Sequence, residues 1–254
     1  MGEFRKNLRR MLILLLCIGL SISPAAAEWV RMPGAAKDIA AGPDGSVWII
    51  GTNAASSFGN EIFRWNGRQW DKVIGAAVRI AVGPKDQAWV VTAADQILRF
   101  NGTGWEQMPG TAKDIGVGAK GAAWIVGGNP ESGGFGIFRW NKTVWIKVPG
   151  SATRIAVDAQ DLPWVVSNAR KIYRSNGEAW ISLPGAATDI GAGASGQIFV
   201  ANDEPSLKRW DGNKWQDWPP YTAKVTGVAV DARGHPWGIT VDGQIIAWDP
   251  PKLP

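Results

Sequence analysis

Cysteine and histidine are almost missing from this chain: Cys17 and His235 are the only examples in 254 residues, and tyrosine occurs only twice. So few thiols and imidazoles exclude a disulfide framework, a Cys/His metal centre and most nucleophile–base pairs. A basic surface is lacking too. The net charge of +5 includes Arg5, Lys6, Arg9, Arg10 and Glu3, so residues 28–254 carry only +2 (23 cations against 21 anions). Nucleic-acid binding rests on many phosphate contacts and is not expected. Nor does any stretch beyond residue 27 sustain a 3.6-residue apolar period, which excludes a helical domain and points to an all-β chain.

The N-terminal segment reads as an address. A basic start is followed by the apolar run Met11–Ile22 and by Pro24-Ala25-Ala26-Ala27, with small residues placed for a cut after Ala27. This is the pattern of a secretory signal peptide over 1–27, too short in its apolar part for an ordinary membrane span. The mature chain, 28–254, would then be secreted or periplasmic, without stable membrane insertion. Cys17 lies inside the apolar run behind bulky Leu16, unlike a lipid-attachment site, and the mature chain would have no cysteine.

Tryptophan is abundant, with 16 copies, beside 32 Gly and 16 Pro. Its positions repeat. Trp29, Trp70, Trp105, Trp145, Trp180 and Trp215 open related stretches (WVRMPG, WDKVIG, WEQMPG, WIKVPG, WISLPG, WQDWPP) spaced by 41, 35, 40, 35 and 35 residues. A second aromatic column follows at Trp48, Trp89, Trp124, Trp164, Phe199 and Trp237, and a third at Trp65, Phe100, Trp140, Ser175, Trp210 and Trp248. The columns hold 15 of the 16 tryptophans, leaving only Trp218 outside, so the repeat organises the whole mature chain.

Each copy reads as four short strands, with Asn-Gly or Asp-Gly turns at Asn66, Asn101, Asn176 and Asp211. Antiparallel four-stranded units repeated radially make a β-propeller, here expected to be six-bladed. The first copy starts with a fourth-type strand at Trp29 and the last ends with a third-type strand at Trp248. The N-terminal strand would therefore complete the C-terminal blade and pair two exposed edges without a disulfide. A linear solenoid would instead need polar caps at both ends, and none is visible.

The pattern W-x-x-V/M/L-P-G-x-A-x-x-I-x-V-G, a Trp-centred strand, and I-F-R-W-N-G resembles the tectonin repeat over 29–250. The resemblance implies a six-bladed propeller of the kind used by lectins of innate defence. Their ligands are surface sugars such as lipopolysaccharide, N-acetylglucosamine and O-methylated saccharides. Many tectonin repeats carry Asn three places after the second-column aromatic. Here those positions are Gly51, Thr92, Gly127, Ser167, Asn202 and Thr240, so only Asn202 keeps it.

The aromatic columns have two readings, sugar-stacking platforms or packing between blades, and their near-constancy in every copy favours packing. Ser175 breaks the third column, marking a less buried or specialised place. The residues preceding the first-strand Ile or Val are Asp38, Arg79, Asp114, Arg154, Asp189 and Gly227. They are either carboxylates lining a channel for acid–base or cation chemistry, or a circle of ion pairs between blades; pairing is the less costly arrangement.

Departures from the repeat are the better binding candidates. Trp48 to Trp65 spans 17 residues and Trp124 to Trp140 spans 16, against 11 in other copies, and the longer loops add Asn53 with Phe58 and Asn129 with Phe135. An amide beside an aromatic face suits a neutral sugar, and loops on a rigid scaffold commonly bind ligands. The alternative is a pair of solvated insertions. Trp218 and Tyr221, in QDWPPYTAK, have no counterparts elsewhere and either bind ligand or plug the closing seam.

The turn residue His235 lacks a Ser or Cys nucleophile motif, so no catalysis, cofactor or metal is expected. The reading reached here is an exported, multivalent, glycan-binding propeller that is not an enzyme. Two alternatives remain. One is a cell-envelope scaffold for protein partners. The other is an enzyme, since IAAGPDGSVWII also resembles repeats of the virginiamycin B lyase type; those rings are usually seven-bladed and use a His base with a metal.

Overall fold

The computed structural model describes residues 28–250; the expected signal peptide, 1–27, lies outside them. Alternating small and large residues produce short strands throughout. In chain order these are β1 (Trp29–Ala41), β2 (Val47–Ser56), β3 (Gly59–Trp65), β4 (Trp70–Ala77), β5 (Arg79–Val82), β6 (Ala88–Val91) and β7 (Gln96–Phe100). Next come β8 (Trp105–Val117), β9 (Ala123–Glu131), β10 (Gly134–Trp140), β11 (Trp145–Ala152), β12 (Arg154–Val157), β13 (Pro163–Val166), β14 (Ile172–Ser175) and β15 (Trp180–Leu183). The last are β16 (Asp189–Ala192), β17 (Ile198–Ala201), β18 (Lys208–Trp210), β19 (Trp215–Asp217), β20 (Val225–Val230), β21 (Pro236–Thr240) and β22 (Gln244–Trp248). One 3-10 turn, Pro84–Asp86, is the sole helical element among the described residues.

Pairing is antiparallel. β12–β15 and β16–β19 form separate four-stranded sheets, whereas the other strands form two seven-stranded sheets, β20-β21-β22-β1-β2-β3-β4 and β11-β10-β9-β8-β7-β6-β5. The expectation of uniform, separate four-stranded units is thus met only in part. The cause is local. β1 pairs through Trp29–Arg31 with β22, passes the register shift before Ala35, and then pairs through Ala36–Ala41 with β2. β8 behaves in the same way between β7 and β9. Gly34 and Gly110, both with φ 84, turn the chain at these junctions without interrupting the strand. Each long strand therefore serves as the last strand of one four-stranded set and the first of the next, in the antiparallel architecture of a β-propeller.

Hydrophobic clusters sit between neighbouring sets. Phe100 and Trp105 pack against the cluster that contains Trp48, Trp140 and Trp145 against that of Trp89, Trp210 and Trp215 against that of Trp164, and Trp65 and Trp70 against that of Trp237. The second-column rings are almost fully buried, Trp48 at 0% and Trp124 at 6% exposure. Each such ring withdraws about 150–250 Å² from water, at roughly 25 cal/mol per Å². The innermost strands, including Ile39–Ala41, Ile80–Val82 and Val228–Val230, line a narrow central cavity of about 70 Å³.

Candidate functional site

The first-column tryptophans join neighbouring sets through one recurring contact. The indole N–H of Trp70 donates to the Pro33 carbonyl (2.8 Å), and those of Trp145, Trp180 and Trp215 donate to Pro109, Pro149 and Pro184 (2.8, 2.6 and 2.8 Å). Trp105 donates to Ile74 at 2.6 Å and Trp29 to Pro219 at 2.7 Å. These rings are walls between sets, which leaves spaces beside them as the places where a ligand could enter.

Two such spaces lie at the end of the molecule that carries the second-to-third-strand turns. The first, a cavity of about 370 Å³, includes Trp180, Tyr173, Ser167, Asn168, Ser132 and Gly133 in its lining. The second, of about 270 Å³, includes Trp215, Asn202, Asp203, Glu204, Thr188 and Lys208. They occupy equivalent repeat positions: Trp180 corresponds to Trp215, Ser167 to Asn202 and Asn168 to Asp203, each 35 residues apart. Each combines an indole wall with amide, hydroxyl or charged groups from a turn. Lys208 and Glu204 form an ion pair at 2.7 Å, and Asp203 meets Lys224 at 2.7 Å and also bonds to Arg170. The two cations at Asp203 hold its carboxyl below the usual range.

The residues singled out from sequence are dispersed. Asn202 lies in the second cleft, where its Oδ1 accepts the Glu204 N–H at 2.8 Å. Asn53 and Asn129 are both exposed, and Asn53 Nδ2 reaches Glu61 at 3.4 Å. Phe58 is 47% exposed at its hairpin tip, and its carbonyl accepts the Ala93 N–H from the next set. Phe135 is half-buried opposite Ala152 under the Lys113 ammonium, 5.8 Å from the ring centre. Its counterpart in the first long hairpin is Asn60, opposite Ala77, and not Phe58. Neither Phe58 nor Phe135 lines the clefts, but the second long loop reaches the first cleft through Ser132 and Gly133.

Trp218 packs edge-to-face on Phe199 (5.0 Å) and Trp248 (5.2 Å), and Tyr221 lies 6.4 Å from Trp29, with its hydroxyl 3.3 Å from Gln244. Both are half-buried where the first and last strands meet. The clefts also draw on Ser167 from one copy and on Thr188 and Lys208 from the next, and sequence inspection did not single these out as binding residues. Their signal was the shared 35-residue spacing around Asn202, which becomes informative once the sets are known to face one another.

The alternating charges form a layer near the central cavity. Arg79 lies 3.7 Å from Asp38 and 3.9 Å from Asp114, and Arg154 lies 3.6 Å from Asp189. The second oxygen of each Asp accepts a backbone N–H from the next inner strand: Ile80 for Asp38 (2.8 Å), Ile155 for Asp114 (2.9 Å) and Val228 for Asp189 (2.8 Å). Burial pushes Asp38 up to about 7, with Arg79 opposing and Asp114 and Asp189 reinforcing the rise. Burial likewise raises Asp189 to about 6 against Arg154, and raises Asp114 against both arginines. Among the described residues, no group of three or more His, Cys, Asp or Glu side chains is placed to hold a metal ion.

Comparison with known proteins places this geometry in context. The Tectonin domain model matches residues 21–101, 76–173 and 160–250. No curated protein matches the sequence. Among solved structures, a gluconolactonase from Xanthomonas campestris is 10% identical with a TM-score of 0.68, covering 89% of this chain and 91% of that one. Virginiamycin B lyase from Staphylococcus aureus is 15% identical at a TM-score of 0.59, covering 88% and 98%. YCF48 bound to a D1 peptide is 13% identical at 0.56, covering 90% and 98%. These are likenesses of fold. They overturn the expectation that the chain is not an enzyme, because enzymes are built on the same architecture and the fold admits catalysis as well as binding.

Proposed function

This chain belongs to the tectonin-domain family, and from that membership we propose that it is an exported saccharide-binding propeller of six four-stranded blades. The pairing of Trp29 with Trp248 supports closure of the ring by its first and last strands. So does the hydrophobic cluster that gathers Trp237 and Ile245 near the C-terminus with Ile39 and Ile49 near the N-terminus, with Trp65 and Trp70 packed against it.

The observation that carries the saccharide reading is the pair of repeat-related clefts beside Trp180 and Trp215, each with an indole wall and hydrogen-bonding side chains. A pyranose presents an apolar face to an aromatic ring and hydroxyls to amides, carboxylates and ammonium groups, which is the chemistry on offer. Two or more weak sites on one rigid ring gain avidity when the ligand repeats its sugars at matching spacing. Surface glycans, lipopolysaccharide included, have that form, and a signal peptide over 1–27 would deliver the protein to them.

The test is a glycan array with the mature chain, followed by calorimetric titration of the hits against wild type, Asn202→Ala and Asn168→Ala. Each variant is expected to weaken polymeric glycan binding about tenfold through lost avidity. Absence of binding to any saccharide at millimolar concentration would overturn the reading. Retained capture of an envelope protein in that case would favour a scaffold.

A further inference from the structure

At the opposite end of the molecule, the third aromatic column contains a vacancy. Within a set, the third- and fourth-strand rings are in tilted or edge-to-face contact: Trp65–Trp70 at 4.9 Å, Phe100–Trp105 at 5.1 Å, Trp140–Trp145 and Trp210–Trp215 at 5.0 Å, and Trp248–Trp29 at 5.5 Å. The third-strand ring also meets the second-column ring of the preceding set, as Phe100 meets Trp48 at 5.4 Å and Trp210 meets Trp164 at 6.4 Å. Ser175 occupies this position opposite Trp180, and no ring fills the place between Trp124 and Trp180. A cavity of about 700 Å³ opens there, lined by Trp124, Trp140, Trp180, Leu162, Arg139 and Ser175.

A second departure from the repeat falls on the same spot. Leu162 stands where the other copies have Ser46, Gln87, Ala122, Gln197 and His235, so a turn position that is polar in four of the other five copies carries a large apolar side chain here. The surrounding surfaces are those that elsewhere embrace an aromatic ring of the protein, and edge-to-face contact with tryptophan favours an aromatic guest over a saturated one. The lip carries charge of both signs. Asp161 accepts the Lys120 N–H at 3.0 Å, and Lys142 and Glu178 stand nearby. Arg139 lies over the Trp124 ring at 5.7 Å and makes no ion pair among the described residues. Of its counterparts, Arg64 and Arg99 bond to Asp86 (2.7 Å) and Glu106 (2.6 Å), whereas Arg174 and Arg209 lie over Trp164 and Trp218 without an ion pair among the described residues, as Arg139 does. A carboxylate on the guest would give Arg139, which faces the cavity, the kind of partner that Arg64 and Arg99 have.

We propose that this cavity binds a small aromatic carboxylate, its ring taking the place that Ser175 leaves open between Trp124 and Trp180. The cavity opens at the other end of the sheets from the saccharide clefts and shares only the Trp180 ring with the first of them.

Calorimetric titration of the mature chain with indole-3-acetate and with cyclohexylacetate tests it, the second probe keeping the charge and removing the ring. Indole-3-acetate is expected to bind at least tenfold more tightly, and Ser175→Trp to abolish binding by filling the slot. A second measurement does not depend on that variant folding. In the wild-type indole N–H spectrum, indole-3-acetate should shift Trp124 and Trp180 and leave Trp70 unmoved. No binding at millimolar probe, equal affinity for both probes, full binding by folded Ser175→Trp, or shifts confined to other tryptophans would each overturn the proposal.

Discussion

The indole N–H of Trp29 donates to the carbonyl of Pro219, 2.7 Å away and 190 positions later in the chain. The same bond joins Trp70 to Pro33 and Trp215 to Pro184 between sets that follow one another directly. The contact between the chain's ends is thus chemically the same as the internal ones. It is backed by pairing of Trp29 with Trp248 and by the edge-to-face contact of the two rings.

Trp29→Phe keeps an aromatic ring and removes the donor. A net loss of about 1 kcal/mol is expected for one neutral hydrogen bond, in a setting where water can reach the freed carbonyl. Urea unfolding followed by circular dichroism should give the same loss for Trp29→Phe as for Trp215→Phe. A seam variant indistinguishable from wild type, beside a destabilised Trp215→Phe, would mean that the ends are held by something other than this bond.

Gly59 opens β3 at φ 137, and a Cβ there would fall 2.5 Å from the Ala77 carbonyl oxygen. The strand pair must approach this closely because Asn60 opposes Ala77 directly and Ala77 is fully buried. Gly59→Ala therefore combines backbone strain with a steric clash, and a cost of about 2–4 kcal/mol is expected. Thermal melting checks it; a shift of less than a degree would show that the hairpin relaxes freely.

Phe58 and Phe135 should behave differently despite their similar sequence setting. Phe58→Ala removes a ring that is 47% exposed and should change stability by less than about 0.5 kcal/mol. Phe135→Ala opens the boundary beside Val126, Ala152 and Tyr173 and should cost about 1–2 kcal/mol. Equal effects in denaturant titrations would place the two rings in the same environment, contrary to the register described here.

That pair also marks how far sequence reading could go. The repeat, the all-β class and the aromatic walls were legible because every set needs the same residues to bury its neighbour. The alternating Asp and Arg were legible as ion pairs, but their bonds to the Ile80, Ile155 and Val228 amides were not, since backbone partners leave no trace in residue identity. Phe58 and Phe135 looked equivalent because both follow an Asn in a long loop. Phe58 lies in the turn between β2 and β3, two residues before the position equivalent to Phe135, and spacing alone does not reveal where the extra loop residue is absorbed. The merging of sets through β1 and β8 was hidden as well, because Pro-Gly reads as a stop and acts here as a bend. The clefts escaped notice for a related reason: their lining comes from two repeats at once, while motif inspection proceeds one repeat at a time.

The charged layer makes stability depend on pH in an unusual direction. Asp38 and Asp189 have folded-state values of about 7 and about 6, above the ordinary 3.8, chiefly because of burial. In the folded protein they take up protons at a pH where the unfolded chain is still ionised. Their contribution is fully present below 3.8 and is lost as pH rises through 6 and 7. Asp211 runs the other way: its hydrogen bonds to Gln216, Lys214 and Asn213 lower it to about 2, so it loses stability only in stronger acid. The melting temperature should consequently rise when the pH is lowered from 8 to 5. The repeat also indicates how to remove the effect. Arg79 and Arg154 each stand one residue before an inner-strand Ile, and the corresponding place before Val228 is Gly227. A Cβ at Gly227 meets nothing closer than Ile239 at 3.6 Å and lies 3.8 Å from Asp189 Oδ2, so there is room to begin a longer side chain. Gly227→Arg would supply the cation missing between Asp189 and Asp38, favour their ionised forms and raise the melting temperature at pH 8 more than at pH 5. A wild-type melting temperature that is flat or falls between pH 8 and pH 5 would show that these carboxylates are ionised throughout. An equal gain from Gly227→Arg at both pH values would show that the new side chain acts by packing and not by charge.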